Sequence, residues 1–483
     1  MQVLVKITLL HFNMSFNLYA NNVSFLGIKN VLKFQLHSKC IHKSVSARKM
    51  SPQEVTTILS SKEHIHEFEP SFGSIKAYET NQLESNSPIE DARAEAKCLL
   101  TSGMLFGVFD GHGGASCSHV ITKRLFDYIC VSLLPKPLLL EYLESGKQLV
   151  EMRNETFDLV SELKTIYAQS LKSYVLKIIN EGQEHQFKMK DALEKAFLQL
   201  DEDMMTEARL KTNTEVDNLT LNVGLSGSVA CVAHIDGPHL HIASTGDCLA
   251  VVGVYTDDET WMAKVMVEEH NTDNLQELNR VISEHPSNEK DTVIKYERLL
   301  GQLAPLRAFG DLRYKWSREM LLEHIVPKIG ENAIPPFYYT PPYLTAKPQV
   351  AHHHLQPRDK FLVLATDGLW DFMTPLQVVR LVGEHMSGKI TLTPLKLPRN
   401  NMKLSEINNL LLQRRDSLKR KPVDANACTH LIRNALGGTE YGVEHAKLSH
   451  LLNLPKNISR SFRDDISITI IYFNTEYLRH PQP

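Results

Sequence analysis

The stretch "MLFGVFDGHGG", residues 104–114, joins a short apolar run to a carboxylate, a histidine and several glycines. An apolar run of this length predicts a buried β-strand. Carboxylates are seldom fully buried unless they are paired with, or bound to, a cation. The stretch therefore predicts a core strand that carries Asp110 to a point where a positive partner lies.

The same pattern recurs along the chain. Further apolar segments predict strands at "SVACVAHI" (228–235), "HLHIAST" (239–245), "LAVVGVY" (249–255), "FLVLAT" (361–366) and "ISITIIYF" (466–473). Carboxylates stand where apolar segments begin or end, at Glu90, Asp91, Asp247, Asp367, Asp464 and Asp465. Carboxylates at several strand ends suggest that they share one partner.

Four clustered carboxylates raise one another's pKa and stay ionised together only beside positive charge. Two divalent cations would balance four such charges. Oxygen ligands without a cysteine or histidine cluster select Mg²⁺ or Mn²⁺ rather than zinc. A two-metal site of this kind activates a water and stabilises the charge that develops in a phosphoryl displacement.

Each of these residues also has an ordinary structural interpretation. An aspartate before a glycine is usually a turn residue, and Asp247 in "TGDC" is open to that interpretation. Gly111 is expected to let the chain turn sharply and to bring its carbonyl close to an ion. His112 is either a hydrogen-bonded structural histidine or a general acid for a leaving group. Spacing alone does not show that these side chains meet.

The order of the segments favours an α+β layered fold with antiparallel sheets. Several strands are joined by short turns such as "DGP" (236–238), and the helices are grouped rather than alternating with strands. Periodic apolar residues predict helices over 190–210, 374–386 and 426–438. Insertions are expected at 134–189, which is polar and helix-prone, at 313–347, a loop rich in proline and aromatic residues, and at 387–424, which carries a basic run.

The first 50 residues differ from the rest of the 483-residue chain. They contain seven basic and no acidic residues, which is typical of a mitochondrial transit peptide. A disordered basic tail, or a gene model extended upstream of the true start, also fits this composition. The remainder has 46 basic and 56 acidic residues, a formal net charge of −10, and so gives no reason to expect nucleic acid as a partner. Seven scattered cysteines without a C-x-x-C pair argue against disulfides and cysteine-bound zinc. No apolar run is long enough to predict a transmembrane helix.

Six motifs, in order, resemble the metal-dependent protein phosphatases of the PPM type, also called protein phosphatase 2C. They are "VFDGHGG", "GLSGSVACV", "ASTGDCLAVV", "RAFGD", "ATDGLWD" and "RDDISI", and the resemblance spans about residues 70–473. It implies a four-layer fold in which two antiparallel sheets form a β-sandwich flanked by helices. It also implies one phosphatase domain over 51–475, after a 1–50 leader and before a 476–483 tail.

The resemblance assigns roles to single residues. It implies that Asp110 bridges two Mg²⁺ or Mn²⁺ ions, that Gly111 offers its carbonyl oxygen, and that Glu90, Asp367 and Asp464 complete the ligands. Asp247 matches a weaker third metal site, and His112 matches a general acid. Asp465 is expected to support its loop, and Arg307, Asp311 and Asp371 are expected to form ion pairs or caps.

One position departs from the family. Many members have an arginine that holds the substrate phosphate four residues before the glutamate ligand, and Asn86 stands there instead. Asparagine donates hydrogen bonds but brings no charge. Phosphate binding by Asn86 is therefore in question, and another residue is expected to compensate.

A narrower resemblance, carried by "SNSPIEDAR", "APLRAFGDLRYKWS" and "THLIRNALGG", is to the mitochondrial pyruvate dehydrogenase phosphatases. It implies attack of a metal-bridging hydroxide on phosphoserine of the pyruvate dehydrogenase E1 component, in the mitochondrial matrix. It also implies Ca²⁺-aided docking on the lipoyl domain of the acetyltransferase core, and a regulatory subunit. A phosphatase with another substrate and an inactive scaffold of the same fold remain the alternatives.

Overall fold

The computed structural model describes residues 49–69, 71–154, 161–181, 188–209, 211, 214–389, 401–419 and 421–480. The predicted leader, 1–50, lies outside these residues except for Lys49 and Met50. Parts of the insertions expected at 134–189 and 387–424 also lie outside them.

The strands, in chain order, are β1 (His64–Glu67), β2 (Ile75–Leu83), β3 (Ala92–Cys98), β4 (Met104–His112), β5 (Val150–Met152), β6 (Gly227–Asp236), β7 (His239–Thr245), β8 (Leu249–Tyr255), β9 (Trp261–Val265), β10 (Ile294–Lys295), β11 (Arg298–Leu299), β12 (Phe309–Gly310), β13 (Gln349–His354), β14 (Asp359–Ala365), β15 (Gly438–Thr439), β16 (Gly442–Val443) and β17 (Ile466–Phe473). Each apolar segment singled out above lies in one of them, except that Thr366 follows the end of β14.

The α-helices are α1 (Pro52–Leu59), α2 (Ser116–Leu133), α3 (Lys136–Ser145), α4 (Ser161–Glu181), α5 (Met189–Glu207), α6 (Glu215–Leu225), α7 (Leu275–Ser283), α8 (Lys290–Val293), α9 (Arg318–His324), α10 (Val326–Ile329), α11 (Asp367–Trp370), α12 (Pro375–Ser387), α13 (Leu404–Leu418), α14 (Ala427–Gly437), α15 (His445–Leu452), α16 (Lys456–Ser459) and α17 (Thr475–Arg479). Short 3-10 turns occupy Ser287–Glu289, Leu312–Tyr314 and Glu331–Ala333.

Two antiparallel sheets form the centre of the fold. The first has the strand order β1-β2-β17-β14-β8-β9, and the second has the order β13-β7-β6-β4-β3-β5, with β12 beside β6. One apolar core lies between the sheets, a second lies between the second sheet and α2, α4 and α5, and a third lies between the first sheet and α12 and α14. The expected α+β fold with helices flanking a β-sandwich is confirmed.

Strand β4 shows why its sequence is a continuous apolar run. Phe106 and Val108 belong to the core between the sheets, whereas Leu105 and Phe109 belong to the core under the helices. Successive side chains of a strand point to opposite faces, so a central strand of the inner layers needs apolar residues at every position. Asp110 follows the same alternation as Phe106 and Val108 and is therefore directed between the sheets, where β4 approaches its end.

Strand pairing brings the predicted carboxylates to one end of the sandwich. Asp110 pairs with Val229 in β6, and the next residue of β6, Ala230, pairs with Thr245 just before the turn that holds Asp247. In the first sheet, Ala365 pairs with both Leu249 and Ile468. The antiparallel register therefore gathers segments that are far apart in sequence.

Two expectations need correction. Gly111 does not make a sharp turn, because β4 continues through His112 and Gly111 pairs with Ser228; the turn follows at Gly113 and Gly114, which have positive φ. The segment 313–347 is not simply a loop, because it contains α9 and α10. Within the described residues, no helix is both long and apolar enough to cross a membrane.

Candidate active site

The candidate site is built around Asp110 and the close approach of two backbones beside it. A Cβ at Gly111 would come within 2.3 Å of the Glu90 carbonyl oxygen and 2.7 Å of Ser118 Oγ. Ser118 Oγ also donates a hydrogen bond to that carbonyl. Glycine is therefore required at Gly111 so that the segment before β3 can pack against the end of β4.

Five predicted carboxylates come together here, and we call them the carboxylate cluster: Glu90, Asp110, Asp247, Asp367 and Asp464. Asp110 interacts electrostatically with Asp367. Asp110 also interacts electrostatically with Asp247 and Asp464. Glu90 and Asp464 are joined through Arg460. The structure thus brings these side chains together from five segments that are scattered along the chain.

The cluster is electrostatically unfavourable as an all-anionic group. Burial, and then the charges of its neighbours, raise the pKa of Asp110 well above its ordinary value, and the same causes act on Asp367. Burial is also the largest cause of the raised pKa of Glu90, Asp247 and Asp464. Carboxyl groups in this state hold protons unless a cation neutralises them.

The donor chemistry fits divalent cations. The Oδ1 atom of Asp367 is buried and has no hydrogen-bond partner, which is unusual for a buried polar atom. Carboxylate and carbonyl oxygens are the ligands that Mg²⁺ and Mn²⁺ prefer. Across the described ranges, no group of three or more His, Cys, Asp or Glu side chains lies close enough together to hold a metal ion as the side chains are placed.

Asp465 holds the segment before β3 in place. Its carboxylate accepts hydrogen bonds from the backbone N–H groups of Ser85, Asn86 and Glu90, the last at 2.8 Å. The expectation that Asp465 supports this loop is confirmed. Gly114 N–H donates to Glu90 Oε1 at 2.8 Å, so Glu90 is fixed through both its backbone and its side chain.

Asp91 is buried and holds the segment before β3 against the end of β14. The sequence shows Asp91 next to Glu90 but does not indicate this role. Asp91 accepts a hydrogen bond from Thr366 Oγ1 at 2.9 Å, next to Asp367. Burial and then the charge of Asp465 raise its pKa well above the ordinary value. This contact ties the segment before β3 to the end of β14.

His112 forms a pair with Asp311. The distance from His112 Nε2 to Asp311 Oδ2 is 2.6 Å. Burial opposes protonation of His112, but the charge and hydrogen bond of Asp311 outweigh it and raise the pKa of the imidazole. A Cβ at Gly227 would come within 2.1 Å of the ring nitrogen, so the glycine makes room for the pair. Asp311 is thus both a structural residue, as expected, and the partner of the candidate general acid.

Arg460 is the site residue that sequence reasoning missed. Its Nη1 atom lies 3.0 Å from Glu90 Oε2 and 3.0 Å from Asp464 Oδ1. The spacing of four residues to Asp464 was visible in "RSFRDD", but the contact with Glu90 is long-range. Arg307, in contrast, forms the ion pair expected of it, with Glu277.

Comparison with known proteins gives the family context of this geometry. The family model described as protein phosphatase 2C matches residues 158–406. The human protein named mitochondrial pyruvate dehydrogenase (acetyl-transferring) phosphatase 1 is 43% identical over 450 residues, covering 88% of this chain and 83% of that protein. The human phosphatase 2 of the same name is 39% identical, covering 88% and 84%.

Among solved structures, a serine-threonine phosphatase 2C from Toxoplasma gondii matches with a TM-score of 0.43 and 16% identity. The match covers 85% of this chain and 99% of that one.

Proposed function

This chain belongs to the protein phosphatase 2C family, and we propose that the carboxylate cluster is the metal centre with which it hydrolyses phosphoserine. Membership makes the chain a protein serine/threonine phosphatase of a family that generally requires Mg²⁺ or Mn²⁺. The observation that carries the proposal is that Asp110, Asp247, Asp367 and Asp464 interact electrostatically, all with raised pKa values, and that the buried Asp367 Oδ1 has no hydrogen-bond partner.

In the proposed centre, Asp110, the Gly111 carbonyl oxygen, Glu90, Asp367 and Asp464 would together hold two divalent cations. Asp247 holds a third ion more weakly. The cations, when bound, supply Lewis-acid activation of water and charge stabilisation at phosphorus. The protein keeps Glu90 in place through Gly114 and Asp465, so that little reorganisation is needed when substrate arrives.

His112 is proposed to give a proton to the serine oxygen as it leaves phosphorus. The charge and hydrogen bond of Asp311 raise the pKa of His112, which favours the protonated ring that a general acid requires. Because Nε2 is bonded to Asp311, the proton that can be given away is the one on Nδ1. Asp311 then stabilises the ring in the orientation needed for transfer.

We further propose that the substrate is the phosphorylated E1 component of pyruvate dehydrogenase, and that the chain acts in the mitochondrial matrix. Relatives that carry pyruvate dehydrogenase phosphatase in their names align with 88% of this chain, and their names state a mitochondrial location. Fractionation followed by N-terminal sequencing tests the location; an intact Met1 in the cytosol would contradict it.

The decisive experiment is phosphate release by the full-length protein. Phosphorylated E1 should be dephosphorylated in the presence of Mg²⁺ or Mn²⁺ and should remain phosphorylated in EDTA. Unrelated phosphoproteins, matched in concentration, should react more slowly. Equal rates on all of them would favour a phosphatase with another substrate, and no release from any would contradict the proposed centre.

The same preparation tests the partners implied by the resemblance. Lipoyl domain of the acetyltransferase core should raise the rate on phosphorylated E1 when Ca²⁺ is present. The rate on a short phosphoserine peptide, which cannot dock on the lipoyl domain, serves as the control and should not change.

A further inference from the structure

The proposed reaction poses a problem of charge at the cluster. A phosphoserine carries about −1.5 to −2 charges at neutral pH and three strong acceptor oxygens. Ionised carboxylates only accept hydrogen bonds, so they cannot hold those oxygens. A side chain that donates hydrogen bonds and carries positive charge is therefore needed at the edge of the site.

Asn86 does not meet this need. Its Nδ2 atom donates to Asp465 Oδ2 at 2.9 Å and lies 3.5 Å from Asp464 Oδ1. Its backbone N–H donates to the other oxygen of Asp465 at 2.8 Å. The amide is thus engaged in holding the segment before β3, and it carries no charge to offer a phosphate.

Arg460 has the required chemistry and position. It lies between α16 and β17, and its Nη1 atom contacts Glu90 and Asp464 of the cluster, each at 3.0 Å. Its side chain is 46% exposed, so an arriving substrate can reach it. These contacts use Nη1, and the Nε and Nη2 atoms form a planar edge that suits two oxygens of one phosphate group.

The neighbouring arginine is not an equivalent candidate. Arg463 is buried, and its Nη2 atom donates to the Glu84 carbonyl oxygen at 2.7 Å. Ser85 Oγ in turn donates to the Arg463 carbonyl. Arg463 therefore belongs to the packing of the loop, whereas Arg460 lies at the accessible edge of the cluster.

We propose that Arg460 binds the phosphate group of the substrate, because position 86 holds the uncharged Asn86. The inference rests on the proposed phosphatase function and deepens it by naming the residue that recognises phosphate. Glu90 and Asp464 hold the guanidinium beside the reacting centre, and the fork of N–H groups orients the phosphoryl oxygens.

The test compares Arg460→Ala, Arg460→Lys and wild type in the full-length protein. With a phosphoserine peptide, Arg460→Ala should raise both KM and the inhibition constant of inorganic phosphate on the order of 10- to 100-fold. Arg460→Lys should recover part of the loss, because it restores charge but not the planar fork. Lys456→Ala is the matched control: it removes one positive charge four residues away, from a side chain that is 76% exposed and paired with Glu84, and should change neither constant.

A separate measurement excludes a merely structural role. If Arg460 only positions Glu90 and Asp464, Arg460→Ala should weaken Mg²⁺ binding in calorimetry and leave the inhibition constant of phosphate unchanged. That result would overturn the proposal. Unchanged values of KM and of the inhibition constant of phosphate in Arg460→Ala would overturn it as well. Calorimetric binding of inorganic phosphate in the presence of Mg²⁺ tests the role of Arg460 without requiring turnover. Absence of phosphate release by the wild-type protein would instead contradict the proposed function, and the two failures are therefore distinguishable.

Discussion

The carboxylate cluster is partly buried and Glu277 is buried, yet the pKa values of these acidic side chains are shifted in opposite directions. Burial and mutual repulsion raise the pKa of Asp110 and Asp367 well above the ordinary value. Burial acts on Glu277 in the same direction, but hydrogen bonds and charge from Arg307 and Arg280 outweigh it and lower the pKa to about 2. Arg307 contacts both oxygens of Glu277, at 2.8 and 2.6 Å.

The difference distinguishes a structural acidic group, Glu277, from the carboxylate cluster proposed to bind metal. Glu277 already has its counter-charge from within the chain, so it stabilises the fold as it stands. In the described part of the chain, the five carboxylates form salt bridges with one half-exposed guanidinium, Arg460, and Asp367 Oδ1 has no hydrogen-bond partner. A buried acidic group that lacks an internal counter-charge is costly to keep, and it indicates an external cation.

The largest expected effect comes from removing one charge of the cluster. Asp110→Asn should lower kcat on a phosphoserine peptide on the order of 10⁴-fold, about 5 kcal/mol, because both proposed cations lose a shared ligand. The fold should persist, since a neutral side chain suits this buried position. Initial rates with Mg²⁺, together with circular dichroism, measure the two quantities.

Thermal unfolding of the metal-free protein sharpens this result. Because the pKa of Asp110 is raised in the folded state, its ionised form is disfavoured there at neutral pH. Metal-free Asp110→Asn should therefore be at least as stable as wild type. A large loss of stability, or full activity, would contradict the metal assignment.

Glu277→Gln should show the reverse pattern. Breaking the buried ion pair leaves Arg307 without its counter-charge and Arg280 with Glu284 alone, and it costs about 3 kcal/mol of unfolding free energy. Activity per folded molecule should stay close to wild type, because Glu277 is not part of the proposed centre. Urea unfolding and kcat at saturating Mg²⁺ measure the two effects; a loss of activity without a loss of stability would be the contrary result.

Much of the fold followed from local pattern, and the failures have a common physical origin. The apolar segments were predicted as strands because residues buried on both faces of a central strand must be apolar. Strand β2 was missed because it buries polar residues: Asn81 is fully buried and donates to the Leu59 carbonyl at 2.7 Å and to Thr429 Oγ1 at 2.8 Å. Thr429 is 348 residues away in sequence, so nothing near Asn81 reveals that its amide is satisfied.

The candidate site shows the same limit. Carboxylates at strand ends were visible, because each interrupts an apolar segment. Arg460 was not, because an arginine near a loop is ordinary, and its contact with Glu90 spans 370 residues of sequence. The pairing of His112 with Asp311 likewise depends on β6 bringing Gly227 between them, which spacing does not reveal.

Adding a divalent cation should stabilise the fold through the carboxylate cluster and not through the Glu277 ion pairs. At Mg²⁺ concentrations of about 100 times its Kd, wild type should gain about 2.7 kcal/mol of unfolding free energy. Asp367→Asn should lose most of this gain, because it removes a proposed ligand. Glu277→Gln should keep the full gain, although it starts from a lower stability; equal responses of both variants would remove the distinction.

The pH dependence of stability should also differ in sign. Because the folded pKa of Glu277 is depressed to about 2, its contribution is present above its unfolded pKa and is lost as pH falls from about 5 toward 2. The stability difference between wild type and Glu277→Gln should therefore shrink over that range. For metal-free Asp110 the pKa is raised, so stability is lost instead as pH rises. Urea unfolding at several pH values in EDTA compares the two slopes.

The smallest effect should come from the exposed end of the Glu277 ion pairs. Arg280 also contacts Glu284, the residue just after the end of α7, at 2.7 Å, but Glu284 is 55% exposed. Water screens such a pair, and its side chains lose entropy in forming it, so Glu284→Gln should cost only about 0.3–0.5 kcal/mol. High salt should remove most of that difference while leaving most of the Glu277→Gln effect, because a buried pair is screened less. If both variants responded equally to salt, burial would not be shielding the Glu277 ion pairs from screening, and the contrast with the carboxylate cluster would rest on the number of counter-charges alone.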